Sequence, residues 1–219
     1  MSLFPVGSGS PITKTATSVS TTSGVRIANF TFNNVPVNTY DITVTLNNNY
    51  FTATQIETVL TVYDPSLGFT TGGGWFYWPD TADPSTNYPG DKTNFGYTIK
   101  YGKNGSNLKG NLLLIRHLPN GDIFRIKSNA LDAGSLTLGT TNLPMGWATF
   151  SGKCNYTSIL SEVNTTVGNT LFKVYVEDRN EPGTLADLFW IQVTNCPMLW
   201  MAESPANNAI AIDSGSIFA

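Results

Sequence analysis

The residue types that carry most hydrolytic and metal chemistry are scarce in this chain. It has one histidine, His117, and two cysteines, Cys154 and Cys196, that lie far apart in the sequence. A serine or cysteine nucleophile needs a base beside it, and a zinc site needs several His or Cys ligands at short spacing. Two carboxylates alone can hydrolyse a glycoside, but nothing singles out a pair among the 15 acidic residues. The sequence therefore predicts no enzyme.

Acidic residues that could bind a hard cation occur in two segments. Calcium prefers carboxylate and carbonyl oxygens on loops, and 177–182 with the nearby Asp187 supplies several of them. The candidate ligands of a structural calcium ion are Asp178, Asn180, Glu181 and Asp187. A second loop carries Asp80, Asp83 and Asp91. The alternative is that Asp and Asn only initiate turns here, and Arg179 in the first segment would repel a cation.

The most conspicuous candidate surface is the aromatic run 75–78, with Tyr88 nearby. In a strand, Trp75 and Tyr77 would face one side while Phe76 and Trp78 face the other. At least one of these pairs is expected to pack in the core. The candidate ligand-binding residues are Trp75, Tyr77, Trp78 and Tyr88. The exposed pair would stack on sugar rings or dock against a neighbouring domain.

Charge is scarce across the whole chain. Its 219 residues include 12 Lys+Arg and 15 Asp+Glu, and charged residues make up 12% of the composition, against about 25% in an ordinary soluble domain. Polarity comes instead from 29 Thr and 22 Asn. Without a cluster of Lys or Arg the chain lacks a surface for phosphates, so we expect no nucleic-acid partner. No apolar run approaches the roughly 20 residues that cross a bilayer, so we expect no membrane insertion.

Alternation of apolar and polar residues with period two indicates a β protein. It is clearest at 40–47, which predicts a half-buried strand with its polar face in solvent. Further strands are predicted at 25–32, 56–63, 95–102, 111–118, 123–127, 147–156, 172–177 and 188–194. Only 158–164 has the composition of a helical turn. Many short strands between Gly, Pro and Asn turns predict an all-β fold, a sandwich or barrel.

The two cysteines belong to a predicted three-strand meander. Cys154 lies on its first strand and Cys196 follows its third. Strands two apart are separated by about 9.6 Å, beyond the limit of about 7 Å for bridged Cα atoms. We therefore expect two buried free thiols, with a disulfide as the alternative.

A change of composition at 64–74, where Pro and Gly accumulate, predicts a boundary between a small domain, 1–66, and a larger β-sandwich domain, 67–219. The segment 13–63, with the pattern NTYDITVTLNNNYFTATQIETVLTVYD at 38–64, resembles the second half of a bacterial immunoglobulin-like repeat. The resemblance implies a partial immunoglobulin-like domain without the first strands. We expect the second domain, the N-terminal arm or a strand from another molecule to complete it.

Five segments of the second domain carry a further resemblance. They are GFTTGGGWF at 68–76, KTNFGYTIKYGKNGSNLKGNLLL at 92–114, ATFSGKCNYT at 148–157, VEDRNEPGTLADLFWIQV at 176–193 and DSGSIFA at 213–219. In this order they resemble a C-terminal β module of bacterial secreted and cell-surface proteins that follows immunoglobulin-like repeats. The longer segment 158–170 and the cysteine pair depart from that family. The resemblance implies a β-rich extracellular module without an assigned activity. We expect this larger antiparallel β-sandwich to be jelly-roll-like or barrel-like.

We therefore expect a non-catalytic extracellular or cell-surface protein, structural or adhesive, that contacts neighbouring domains or copies of itself. One alternative is a carbohydrate-binding module of a secreted protein, which would use the aromatic run. Another is a filament or virion subunit that assembles by β-strand exchange. Low charge favours assembly, because edge strands without Lys have little to keep other strands away. No cofactor is expected beyond the calcium ion considered above.

Overall fold

The computed structural model describes residues 1–45, 56–62, 70–79, 91–101, 107–140, 145–201 and 205–219. Strands make up most of these ranges, and every strand pair is antiparallel. The prediction of an all-β fold is confirmed. The α-helix described is a single turn, Pro205–Asn208. In the part of the chain that the structure describes, no helix is long and apolar enough to span a membrane.

The N-terminal third forms a small sheet and a separate hairpin. Its strands are β1 Ser2–Pro5, β2 Ile12–Thr13, β3 Ser18–Thr22, β4 Val25–Asn29, β5 Asn38–Val44 and β6 Ile56–Val62. The small sheet has the order β2-β1-β5-β6, and β3 pairs with β4. The chain's own N-terminal strand β1 thus lies between β2 and β5 in the small sheet. The N-terminal arm was one of the three elements expected to complete this domain. The predicted boundary at 66 lies outside the described residues.

The strands described from residue 70 onward form one large sheet. Its strands are β7 Thr70–Tyr77, β8 Lys92–Tyr101, β9 Leu108–His117, β10 Ile123–Leu131, β11 Thr137–Gly139, β12 Gly146–Leu160, β13 Val163–Asp178, β14 Leu188–Val193, β15 Ile210–Ala211 and β16 Ser214–Phe218. The order is β15-β14-β13-β12-β10-β9-β8-β7-β16, and β11 pairs with β12.

The large sheet curls because its C-terminal segment reaches both of its ends. β15 pairs with β14, with Ala211 opposite Leu188, whereas β16 pairs with β7, with Ser214 opposite Trp75. Aromatic side chains fill the concave face. The Phe95 ring lies 4.4 Å from that of Phe189, between centroids. The fold is therefore barrel-like, with its main core inside the curl.

The small sheet covers part of the outer face of this curl. Leu112 and Leu114 belong to the inner core, whereas Leu113 and Ile115 pack outside against Val6 of the N-terminal segment. A run of apolar residues on β9 is therefore buried on both faces. The packing resembles that of a sandwich whose second layer covers only part of the first.

The prediction of a solvent-exposed polar face on strand 40–47 is wrong at Asp41, whereas Thr43 is half-buried and Thr45 is exposed. Asp41 is buried against the large sheet, where its Oδ2 atom accepts a hydrogen bond from Lys127 Nζ at 2.7 Å. Arg125 Nη1 lies 3.6 Å from the same oxygen. At Asp41 the polar face therefore packs against the large sheet through an ion pair, because the second sheet takes the place of solvent.

Two glycines let the sheets approach closely. A Cβ atom at Gly96 of β8 would lie 2.4 Å from Thr61 Oγ1 and 2.5 Å from Val59 Cγ1, both on β6. A Cβ at Gly73 of β7 would lie 3.0 Å from the same Thr61 oxygen. Such distances leave no room for a side chain. β6 therefore rests directly on the backbone of β7 and β8.

The helical turn expected at 158–164 does not form. These residues are the end of the long β12–β13 hairpin, whose turn is made by Ser161 and Glu162 at φ 47° and 70°. Both angles lie in the left-handed region that two-residue hairpin turns use. Pairing between β12 and β13 therefore determines the structure of this segment, although its composition is compatible with a helical turn.

Candidate functional site

The aromatic run divides between the two faces of β7. Phe76 and Trp78 are buried in the core, and Trp78 is only 1% exposed. On the outer face, Tyr77 is 48% exposed and packs edge-to-face on Trp75, with ring centroids 5.3 Å apart. Lys92 Nζ lies 4.5 Å from the centroid of the Trp75 ring. An outer platform therefore consists of Trp75 and Tyr77 without Trp78, and Tyr88 lies outside the described residues.

Trp78 belongs instead to a buried ion-pair cluster. The Arg116 guanidinium lies over its ring at 4.4 Å and donates from Nε to Asp91 Oδ2 at 3.1 Å. Both side chains of the ion pair are shielded from solvent. Asp91 was considered above as a calcium ligand, and here Arg116 binds one of its oxygens. Its supposed partners Asp80 and Asp83 lie outside the described residues.

In the first acidic segment, Asp187 organises the main chain. Its Oδ1 atom accepts hydrogen bonds from the backbone N–H groups of Arg179, at 2.9 Å, and Asn180, at 3.3 Å. Its Oδ2 atom accepts one from the N–H of Ile217 at 2.7 Å. The fully buried Asp187 carboxylate thereby connects the 179–187 loop to β16. Its oxygens serve main-chain donors, which reduces their capacity to bind a cation.

Asp178 and Glu177 are also buried in this segment. The Oδ2 atom of Asp178 accepts a hydrogen bond from the backbone N–H of Ala219 at 3.3 Å, whereas Oδ1 has no hydrogen-bond partner. Burial raises the pKa of Asp178 to about 6, and the nearby charges of Asp187 and Glu181 act in the same direction. Among the described residues, no group of three or more His, Cys, Asp or Glu is placed to hold a metal ion. The calcium prediction gains no support from this geometry.

The β3–β4 hairpin is a feature that the sequence analysis missed. Every residue of both strands is exposed, including Val19 at 56%, Val25 at 62% and Ile27 at 44%. A two-residue turn at Ser23 and Gly24, with φ 50° and 80°, joins the strands. Only one of the two, 25–32, was predicted as a strand. An isolated two-stranded hairpin is at best marginally stable in water, so an exposed one suggests a surface that receives a partner.

A groove of about 500 Å³ lies beside β6. One side of the groove is formed by β6, at Leu60 and its two neighbours. The groove is also lined by Gly72–Gly74 of β7 and by Ser216 and Phe218 of β16. Glu181 is the one charged residue among the described residues that line it. In the described part of the small sheet, β6 pairs only with β5, so its other edge is open. The groove thus lies where a further strand could be added to the small sheet.

The histidine and the two cysteines, the residue types most often found in hydrolytic and metal sites, do not form such a site here. His117 Nε2 lies 3.1 Å from Asn94 Nδ2, within hydrogen-bond distance, on adjacent strands. Cys154 and Cys196 are both buried and free, as the meander geometry predicts. Burial raises the pKa of the Cys154 thiol to about 12, with Cys196 contributing, and that of Cys196 to about 11. Neither thiol has the lowered pKa of a nucleophile.

Comparison with known protein families, with curated proteins and with solved structures finds no match to this chain. The resemblance to a bacterial surface module and to an immunoglobulin-like repeat therefore stays a prediction. What the chain does has to be argued from its own surfaces.

Proposed function

We propose that this chain is a non-catalytic structural module of an extracellular, cell-surface or virion assembly, in which it associates with other copies of itself. The observation that carries this proposal is the exposed β3–β4 hairpin. Val25 and Ile27 lie on one of its faces, because Val25 pairs with Thr22 and Ile27 with Ser20. Two strands with open edges and exposed apolar residues satisfy their hydrogen bonds and bury that surface best by meeting another chain.

The low charge of the chain supports the same function. Ser18–Asn29 contains a single charged residue, Arg26, so little repulsion opposes contact between copies. Charged side chains on an edge are the usual means of keeping strands of different molecules apart. Their scarcity distinguishes this chain from an ordinary monomeric domain.

Self-association of the full chain tests the proposal. Sedimentation velocity over a concentration series is expected to show oligomers that dissociate on dilution. The double substitution Val25→Asn/Ile27→Asn should weaken them, because it removes the apolar face of an exposed hairpin without touching the core. The matched control is Val167→Asn, which changes another exposed valine on β13. A chain that remains monomeric at millimolar concentration would contradict the proposal.

A carbohydrate-binding function is the second candidate, and the Trp75–Tyr77 pair is the observation that favours it. Exposed aromatic rings can stack on the apolar faces of sugars. The expected result is glycan-array binding that Tyr77→Ala abolishes and that Tyr77→Phe retains. Trp78→Phe serves as a control, because Trp78 is buried and offers no surface to a glycan. Absence of binding to any glycan on the array would exclude this candidate for the sugars displayed.

A further inference from the structure

We propose that the β3–β4 hairpin of one copy docks in the groove beside β6 of another, where Arg26 pairs with Glu181. This inference rests on the proposed self-association and specifies its two surfaces. Hairpin and groove are different parts of the chain, so the contact joins unlike surfaces. Repetition of such a contact produces a closed ring or an open filament.

The groove has the form that an added strand requires. The open edge of β6 presents main-chain groups in the way that β-strand addition uses. Ser216 lies opposite Gly73 in the β16–β7 pair, so a serine and a position without a side chain lie side by side along the groove. Glycine within a strand is typical of places where another backbone approaches closely. Thr61 of β6 already occupies the space over Gly73, so an added strand would lie on the Ser216 side of it.

The hairpin has an apolar face and a face that carries Arg26, and each suits one side of a strand added to the edge of β6. Arg26 pairs with Thr21, on the face opposite Val25 and Ile27. On β6, Thr61 points toward the large sheet and Leu60 points away from it, because Leu60 pairs with Tyr40 of the small sheet's own core. If β4 adds to β6, Val25 and Ile27 come beside Leu60 while Arg26 points toward the large sheet.

Charge complementarity selects this occupant over other strands. Arg26 is the one charge on the hairpin, and it forms no ion pair with any described residue. Glu181 is exposed and is the one charge among the described groove residues. Partial desolvation and the neighbouring Asp187 raise the pKa of Glu181, a hydrogen bond with the Ser216 side chain lowers it, and a cation beside Glu181 would offset the repulsion from Asp187. Each surface supplies the charge that the other lacks.

Charge reversal tests the pairing without altering the core. Arg26→Glu and Glu181→Arg each place like charges together, so each is expected to raise the dissociation constant of the oligomer roughly tenfold or more. Lys14→Glu is the matched control, since it reverses an exposed charge just before the hairpin and should leave association unchanged.

Mixing the two variants gives the decisive measurement. Arg26→Glu supplies a native groove and Glu181→Arg a native hairpin, so an equal mixture should associate at a concentration at which neither variant does alone. The variant carrying both reversals should also associate. A mixture that stays dissociated would overturn the docking proposal.

The outcomes separate this inference from the proposed function. If Val25→Asn/Ile27→Asn dissociates the oligomer while both charge reversals leave it intact, the groove is wrong and self-assembly stands. If the unmodified chain never associates, both proposals are wrong.

Discussion

The contact between the small sheet and the large sheet depends on the missing side chain at Gly96, and Gly96→Ala is the sharpest test of it. The new methyl group would lie 2.4 Å from Thr61 Oγ1 and 2.5 Å from Val59 Cγ1. Both atoms are bonded directly to a β-carbon, on short branched side chains that cannot swing far. The substitution therefore forces β6 away from β8.

The expected loss of stability follows from two opposing effects. Overpacking of this kind costs about 1–3 kcal/mol. Replacing glycine by alanine also restricts the unfolded chain, which favours the folded state by about 0.4–1 kcal/mol. We expect a net destabilisation of roughly 1–2 kcal/mol, which for a chain of this size lowers the melting temperature by roughly 2–8 °C.

Urea unfolding gives the free energy, and hydrogen exchange gives its location. Amides of β5 and β6 should exchange faster in Gly96→Ala, because the small sheet loses its support. The matched control is Gly168→Ala, where the nearest atom to a new Cβ is Asn155 Oδ1 at 3.5 Å. Adding Val59→Ala to Gly96→Ala should recover part of the loss. If Gly96→Ala and Gly168→Ala are equally stable, the close contact between the sheets is not as described.

Three further predictions concern buried polar groups. Burial raises the pKa of Asp178 from 3.8 to about 6, so the folded state binds this proton more tightly, and the contribution of Asp178 to stability falls as pH rises from about 4 to about 6. Asp178→Asn should weaken this decline in urea unfolding across that range; an unchanged slope would contradict the assignment. Asp91→Ala leaves the buried charge of Arg116 without its carboxylate and should cost about 3–5 kcal/mol in urea unfolding. Adding Arg116→Met should recover part of that loss, and a fully additive double variant would argue against a coupled pair. Cys154 and Cys196 should resist a thiol reagent in the native protein and react fully in urea; rapid native labelling of either would refute its burial.

Period-two alternation predicted most of the strands of the large sheet, because in those segments local pattern and tertiary environment agree. The predicted strand 188–194 ends at Val193, close to the prediction, whereas 123–127 extends to Leu131 and the strand predicted from 172 begins at Val163. The same rule misjudged the polar face of β5, since alternation shows that two faces differ but not what covers the second. A sheet that buries an aspartate through Lys127 looks, in sequence, like one that faces water.

The candidate sites were harder to predict for a related reason. Alternation placed Trp75 and Tyr77 on one face and Trp78 on the other, and the structure has this arrangement. The role of Asp187 depends on backbone N–H groups from Ile217, thirty positions away, which no local pattern contains. The hairpin β3–β4 escaped because β3 is a run of Ser and Thr with one valine, which carries too little apolar signal to predict a strand.

The segment that closes the curl also has a kinetic consequence. Asp213 accepts a hydrogen bond from the N–H of Tyr77, a residue 136 positions earlier in the chain. Contacts between such distant positions form late, because the chain loses the entropy of closing a long loop before the contact stabilises it. Folds rich in long-range contacts fold on the order of milliseconds to seconds. Until then β7 and β14 both have open edges. A newly made chain therefore passes through a period in which strands of other molecules can pair with β7 or β14 before its own C-terminal segment does. Where many newly made chains are crowded together, such pairing would produce aggregates instead of a closed sheet.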